Sequence, residues 1–124
     1  MNKVVVIEDD KDNLLLITYI LKRGGYEVIP AETGEEGADL VVRETPSFAI
    51  VDISLPGING FETAERIKAD ERGKGVPLIA ITAHAMAGDR ERIMASGFSG
   101  YFEKPIDPLT IVAEIHKTIG STPR

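Results

Sequence analysis

The side chains in this sequence that could do chemistry stand where apolar runs stop. Three acids, Glu8, Asp9 and Asp10, follow Lys3-Val-Val-Val-Ile7, and a fourth, Asp52, follows Phe48-Ala-Ile-Val51. Thr82 closes the apolar run 76–81, and Lys104 comes just after Tyr101-Phe102. Two carboxylates ~4 Å apart repel by about 4 kcal/mol at an effective dielectric of 20, so such a cluster takes up protons or binds a cation. With oxygen ligands only, and no His or Cys among them, a hard divalent ion is expected. Mg²⁺ suits a site that keeps several waters and one or two carboxylates while awaiting a phosphoryl oxygen. An amine and a hydroxyl nearby would serve the remaining oxygens of a tetrahedral dianion. A carboxylate attacking phosphorus gives an aspartyl phosphate, and Asp52, alone at the end of the most buried-looking run, is the nucleophile candidate.

Each of these features is ordinary by itself. An acid pair after a strand commonly caps a helix, a lone Asp ends a turn, and Thr is a good strand former. Lys before Pro is most often an exposed turn. His84 and His116 lack companions at metal-ligand spacing and read as surface residues, and Asp89-Arg-Glu-Arg92 reads as a solvated helix face. The functional reading rests on four strand ends sharing one rim.

That rim requires a particular architecture. Five β-rich runs alternate with helical stretches. Leu14, Ile17 and Leu21 recur at helical spacing after the first run, and Gly24-Gly25 supplies a left-handed stop. A short strand at 27–29 follows, then a helix opened by the Thr33/Glu36 capping box and running to about Arg43. Asn59 with Glu62 opens a third helix, whose Phe61, Ala64 and Ile67 share a side. A weaker helix covers about 87–96, and Asp107 as N-cap with Pro108 at the first helical position opens the last, to about Ile119. Strands apolar on both faces and alternating with helices imply an α/β fold with a parallel sheet covered on both sides. For five right-handed units the expected solution is a doubly wound, flavodoxin-like sheet in the order 2-1-3-4-5. Strands one and three are then neighbours at the switch point, where their acids converge with Thr82 and Lys104 at the flanks.

Composition bounds the rest. With 124 residues the chain is one domain, assigned to residues 1–119, with 120–124 as a tail or cut linker. Hydrophobic residues at 43% and charged residues at 27% are globular values, not those of a disordered chain. Twenty Asp and Glu against fourteen Lys and Arg leave a net charge of −6, which argues against nucleic acid or an anionic membrane as partner. The absence of cysteine excludes disulfides, thiolate chemistry and iron–sulfur clusters. No apolar stretch approaches the ~20 residues of a membrane span, and the strand-like run straight after Met1 leaves no room for a signal peptide. A soluble cytoplasmic domain is expected.

These residues resemble the receiver domain of two-component response regulators. Glu8-Asp9-Asp10, Val51-Asp52-Ile-Ser-Leu-Pro-Gly57, Ala80-Ile-Thr-Ala83 and Glu103-Lys-Pro105 look like its signatures, in the right order over about residues 3–119. The resemblance implies a (βα)5 fold in which a sensor histidine kinase or a histidine phosphotransfer protein phosphorylates Asp52. It implies that Asp9 and Asp52 bind Mg²⁺ directly, Glu8 does so through water, and Ser54 contributes its backbone carbonyl. Lys104 matches the lysine that contacts the phosphoryl group, and the Lys104–Pro105 bond would be cis. Thr82 and Tyr101 match a switch pair that alters the face of the fourth helix, fifth strand and fifth helix toward a downstream protein, with homodimerisation left open. Ser54 and His84 occupy the positions thought to tune dephosphorylation. Glu in place of Asp at the head of the acid pair is a departure that reaches farther. The run 82–91 looks more like receivers of hybrid kinases and free-standing relay proteins than those of DNA-binding regulators.

Three rivals fit less well. An aspartate-nucleophile phosphatase of the haloacid-dehalogenase type resembles a pattern with a second Asp two residues after the nucleophile, where this chain has Ser54. A flavodoxin-like cofactor carrier needs a phosphate-cradling loop after strand one, where three acids stand instead; neither GxxxxGK[ST] nor GxGxxG occurs. A degenerate receiver that only docks partners is disfavoured by the complete acid, Thr and Lys set.

Overall fold

Strands and helices alternate throughout the computed structural model, which describes residues 2–83, 89–104 and 106–119. Their order is β1 (Asn2–Ile7), α1 (Lys11–Arg23), β2 (Tyr26–Ala31), α2 (Gly34–Glu44), β3 (Phe48–Asp52), α3 (Gly60–Lys68), β4 (Leu78–Thr82), α4 (Asp89–Ala95), β5 (Gly100–Glu103) and α5 (Ile111–Ile119). The five strands form one parallel sheet in the order β2-β1-β3-β4-β5, as expected. Every residue of β3 and β4 is buried, which explains why these runs are continuously apolar rather than alternating.

Strand alternation divides the core into two layers. Val5, Ile7, Ala49, Val51, Leu78 and Ala80 face one way, under α2, α3 and α4 with Val41, Ala64, Ile67 and Ile93. Val4, Val6, Phe48, Ile50, Ile79 and Ile81 face the other, under α1 and α5 with Ile17, Leu21, Ile111 and Ile115. His116 is half-buried rather than a surface residue. Its Nε2 meets the hydroxyl of Tyr26 on β2, whose ring packs edge-on against Phe48, so α5 is tied to the start of that strand.

Most element ends follow the sequence signals, and the departures have local causes. Asn59 and Glu62 form a reciprocal capping box. Thr33 Oγ1 accepts from the Glu36 amide, but the Glu36 carboxylate accepts from Glu32 instead of returning to Thr33, so that box is half made. Helix α1 ends at Arg23 with Gly24 as cap, and the left-handed residue is Gly25, at φ 92°. Strand β2 extends through Pro30 to Ala31, beyond the expected 27–29, because an edge strand tolerates a missing N–H. Strand β4 starts at Leu78 rather than 76; Pro77 has no N–H for a ladder, though its carbonyl accepts from Ala49. Helix α5 starts at Ile111, not at Pro108. Asp107 Oδ1 caps the Leu109 amide in a turn at 108–110, and the first close helical bond is Ile111 to the Asp107 carbonyl at 3.1 Å. The described part of the fourth helix is 89–95; residues 87 and 88 and the tail 120–124 lie outside the described residues.

Gly60, the first residue of α3, lies directly against the end of β3. A Cβ there would sit 2.6 Å from the Asp52 carbonyl oxygen and 2.6 Å from Ile53 Cα, both backbone atoms with little freedom to yield. Gly60→Ala is therefore expected to cost about 1–3 kcal/mol and to lower the melting temperature by several degrees. Gly75→Ala, which meets nothing within 4 Å, is the control and should leave the melting curve unchanged. Equal melting temperatures for the two variants would refute the close-packing argument.

Candidate functional site

Parallel register brings the strand ends level at one rim. Ile7 pairs with Val51, Asp52 with Ile81, and Thr82 with Glu103. Bonds beyond the strands extend the ladder: the amides of Glu8, Ile53 and Lys104 donate to the carbonyls of Ala31, Ile81 and Thr82 at 2.9, 2.9 and 2.8 Å. The residues that follow β1, β3 and β5 are thus each held by a neighbouring strand, and the side chains projecting there are placed by backbone.

Glu8, Asp9 and Asp52 come together, each offering an oxygen within 4.8 Å of the others. Glu8 has no solvent exposure and Asp52 has 2%, while Asp9 is exposed. Lys104 reaches across from the end of β5, with Nζ 3.0 Å from Glu8 Oε1 and 3.2 Å from Asp52 Oδ2. Asp52 Oδ1 accepts from the Ser54 amide at 2.9 Å. Glu8 Oε2 accepts from the Asp10 amide at 3.2 Å, whereas Oε1 is fully buried with the lysine ammonium as its ionic neighbour and no well-formed hydrogen bond.

Such burial has electrostatic consequences. Desolvation, reinforced by the hydrogen bond and charge of Asp52, pushes the Glu8 carboxyl up to about 7, against the opposing pull of Lys104. Burial works to lower the Lys104 ammonium, but the two carboxylates outweigh it and hold it above the usual lysine value. Three acids against one lysine leave an excess of negative charge in a confined space. An all-oxygen donor set with a buried carboxylate oxygen short of hydrogen bonds fits a hard divalent cation, so the expected metal residues are chemically suited to Mg²⁺.

The structure sorts the sequence candidates. Glu8, Asp9, Asp52 and Lys104 converge, as expected. Asp10 does not join them: its Oδ1 accepts from the Asp12 and Asn13 amides as the N-cap of α1. Thr82 is buried at the end of β4, and with Ser54 it lines a cavity of about 230 Å³ beside the acids. Tyr101 is half-buried against the core layer that contains Ala80 and Ile93. The expected cis bond at Pro105, and His84, fall outside the described residues. Sequence reasoning missed two contacts. One is the Ser54 amide on Asp52, since backbone donors leave no mark on residue type. The other is Arg92, whose guanidinium carbon lies 3.9 Å from the centroid of the Phe61 ring.

Comparison with known proteins agrees with this fold. The family model described as response regulator receiver domain matches residues 4–116. The Polar-differentiation response regulator DivK of Brucella ovis is 36% identical over 117 residues, covering 94% of this chain and 95% of that protein. The receiver domain of a sensor histidine kinase from Pseudomonas aeruginosa, solved with a magnesium ion coordinated in its active site cleft, superposes with a TM-score of 0.88. It is 30% identical, over 97% of this chain and 98% of that one. A chemotaxis response regulator CheY4 of Vibrio cholerae, 24% identical, shares the fold with a TM-score of 0.89 over 95% of this chain and 98% of that one.

The raised Glu8 carboxyl sets a pH dependence. A carboxyl that holds its proton more tightly when folded than when unfolded stabilises the fold fully below the ordinary carboxylate range. That contribution is lost as pH rises through about 7. Without divalent metal, unfolding free energy should therefore fall by on the order of 2–3 kcal/mol between about pH 5 and pH 8 relative to Glu8→Gln. Denaturant titrations at several pH values measure this, and parallel profiles for the two proteins would refute it.

Proposed function

The chain belongs to the response regulator receiver domains, and from that membership we propose that Asp52 is its phosphoacceptor. The phosphoryl group comes from the histidine of a sensor kinase or a histidine phosphotransfer protein, in a Mg²⁺-dependent transfer. The observation that carries this reading is the meeting of Glu8, Asp9, Asp52 and Lys104 at one rim of the sheet. In the transfer an Asp52 carboxylate oxygen attacks phosphorus, an O–P bond forms, and the P–N bond to the donor imidazole breaks with its electron pair leaving on nitrogen. Asp52 is held for this by the Ser54 amide on Oδ1 and by Lys104 on Oδ2. Lys104 already bridges two acids, and its ammonium is positioned to move onto a phosphoryl oxygen as Asp52 becomes an acyl phosphate.

Glu8, Asp9 and Asp52, with the Ser54 carbonyl, are the residues that would hold Mg²⁺, which when bound offsets the charge of the acids and of the incoming phosphoryl oxygens. Thr82 and Tyr101 are the switch residues. The Thr82 hydroxyl bonds to the phosphoryl group in one loop arrangement and not in the other, and the Tyr101 ring occupies the space so vacated. The equilibrium between the two arrangements shifts by that difference in bonding. The face made by α4, β5 and α5 then changes toward a downstream protein. Receiver domains are signalling modules rather than turnover catalysts, and this chain is read as one, acting in the cytoplasm. No helix among the described residues is long and apolar enough to cross a membrane. Residues 1–119 constitute the domain, with 120–124 as a tail or cut linker.

Two outcomes follow. Asp52→Asn should abolish labelling by a small phosphodonor while keeping the circular dichroism spectrum of the parent; full labelling of that variant rejects Asp52 as acceptor. Millimolar Mg²⁺ should raise the melting temperature, by about 1.4 kcal/mol of stability at ten times the dissociation constant, and Asp9→Ala should lose that increment. An identical Mg²⁺ response in Asp9→Ala would count against the metal site.

A further inference from the structure

Among the described residues, helix α4 buries fewer side chains than α5, the other helix of the switch face. Ile93 is its one buried residue among the described residues, and Met94 is exposed. Arg92 also holds it, stacked over the Phe61 ring at 3.9 Å while making no ion pair among the described residues. Phe61 is buried in the first turn of α3, next to Gly60. Gly60 presses on the Asp52 carbonyl and donates its amide to the Ile53 carbonyl at 3.0 Å. The backbone at Phe61 thus has little freedom to shift without moving the backbone that carries Asp52. The stack itself borders a cavity of about 230 Å³, lined also by Ser54, Thr82 and Asp89, which leaves room for α4 to move. A stiff support, a lightly held helix and adjoining free space are the ingredients of a two-position element.

We propose that Arg92 is a positioning residue whose stack on Phe61 ties α4 to the Asp52 loop and favours the arrangement of α4 seen here, setting how readily phosphorylation switches the domain. The inference rests on Asp52 as phosphoacceptor and extends that reading to a residue outside the acid, Thr and Lys set. A guanidinium over an aromatic face is attracted by the ring quadrupole, and the attraction is lost within a few ångströms of displacement. An arrangement of α4 that separates the pair forgoes this contact. Removing the contact therefore shifts the population toward the phosphoryl-bound form, and any ligand specific to that form binds more tightly.

The test uses the whole chain with beryllofluoride and Mg²⁺ as a phosphoryl probe, comparing wild type with Arg92→Ala, Arg92→Lys and Phe61→Leu. Titration followed by amide NMR should show beryllofluoride binding roughly two- to tenfold tighter for Arg92→Ala and Phe61→Leu. Arg92→Lys, which keeps a cation over the ring, should lie between, and Mg²⁺ affinity without beryllofluoride should be unchanged in both Arg92 variants. Hydrogen exchange in the probe-free protein gives a second readout: amides of 89–95 should exchange faster in Arg92→Ala, and those of α3 should not. Equal or weaker beryllofluoride binding by Arg92→Ala, or unchanged exchange in α4, overturns the tether. Failure of the wild type to bind beryllofluoride overturns the phosphoacceptor reading instead, and the exchange comparison still decides whether Arg92 holds α4.

Discussion

Two nearly solvent-free carboxylates, Glu8 and Asp52, share one ammonium from Lys104, and the rest of the fold is arranged to keep that unequal triad in place. Left alone, a buried acid pair would take up a proton or push apart. Neither side chain can retreat, because the backbone at each strand end is bonded to its neighbour, Glu8 to Ala31, Ile53 to Ile81 and Lys104 to Thr82. The sheet spends its rigidity on holding like charges together. The resulting deficit of positive charge is a standing demand for a cation and, beside it, for a group whose oxygens Lys104 can engage.

Rigidity is unevenly distributed around that triad. Strands β1, β3 and β4 carry the acids and Thr82 from the centre of the sheet, where both faces are covered by the two core layers. Lys104 comes from β5, an edge strand of four partly exposed residues, and α4 lies alongside. The acids and Thr82, the proposed sensing groups, therefore sit on the stiff side of the molecule and the proposed responding surface on the compliant side. In the proposed switch, that division would let a local change at Asp52 move a helix without loosening the sheet.

Much of this was legible in the residues, for identifiable reasons. Apolar runs that end in acids locate strand ends, and parallel order 2-1-3-4-5 makes two of those ends neighbours, so the meeting of Glu8, Asp9 and Asp52 follows from topology. What was not legible depends on atoms common to all residues or on exact placement. Asp10 has the same charge as its two predecessors, yet one residue of further progress turns it onto the amides of α1. Ser54 acts through its amide, which any residue but proline has. The pairing of Arg92 with Phe61 links residues from separate helices whose types alone suggest a solvated face and a core side. Helix α5 began later than Asp107-Pro108 implied, because the capped turn at 108–110 precedes its first close helical bond.

The placement of Pro30 has a consequence for how this molecule keeps company. The Ala31 carbonyl turns inward to Glu8, so alternation along β2 turns the imide nitrogen of Pro30 toward the open margin of the sheet. A newcomer strand laid along that margin finds no hydrogen there to accept, and the opposite margin is only four residues long. Lateral growth into ribbons or fibrils is disfavoured at both flanks.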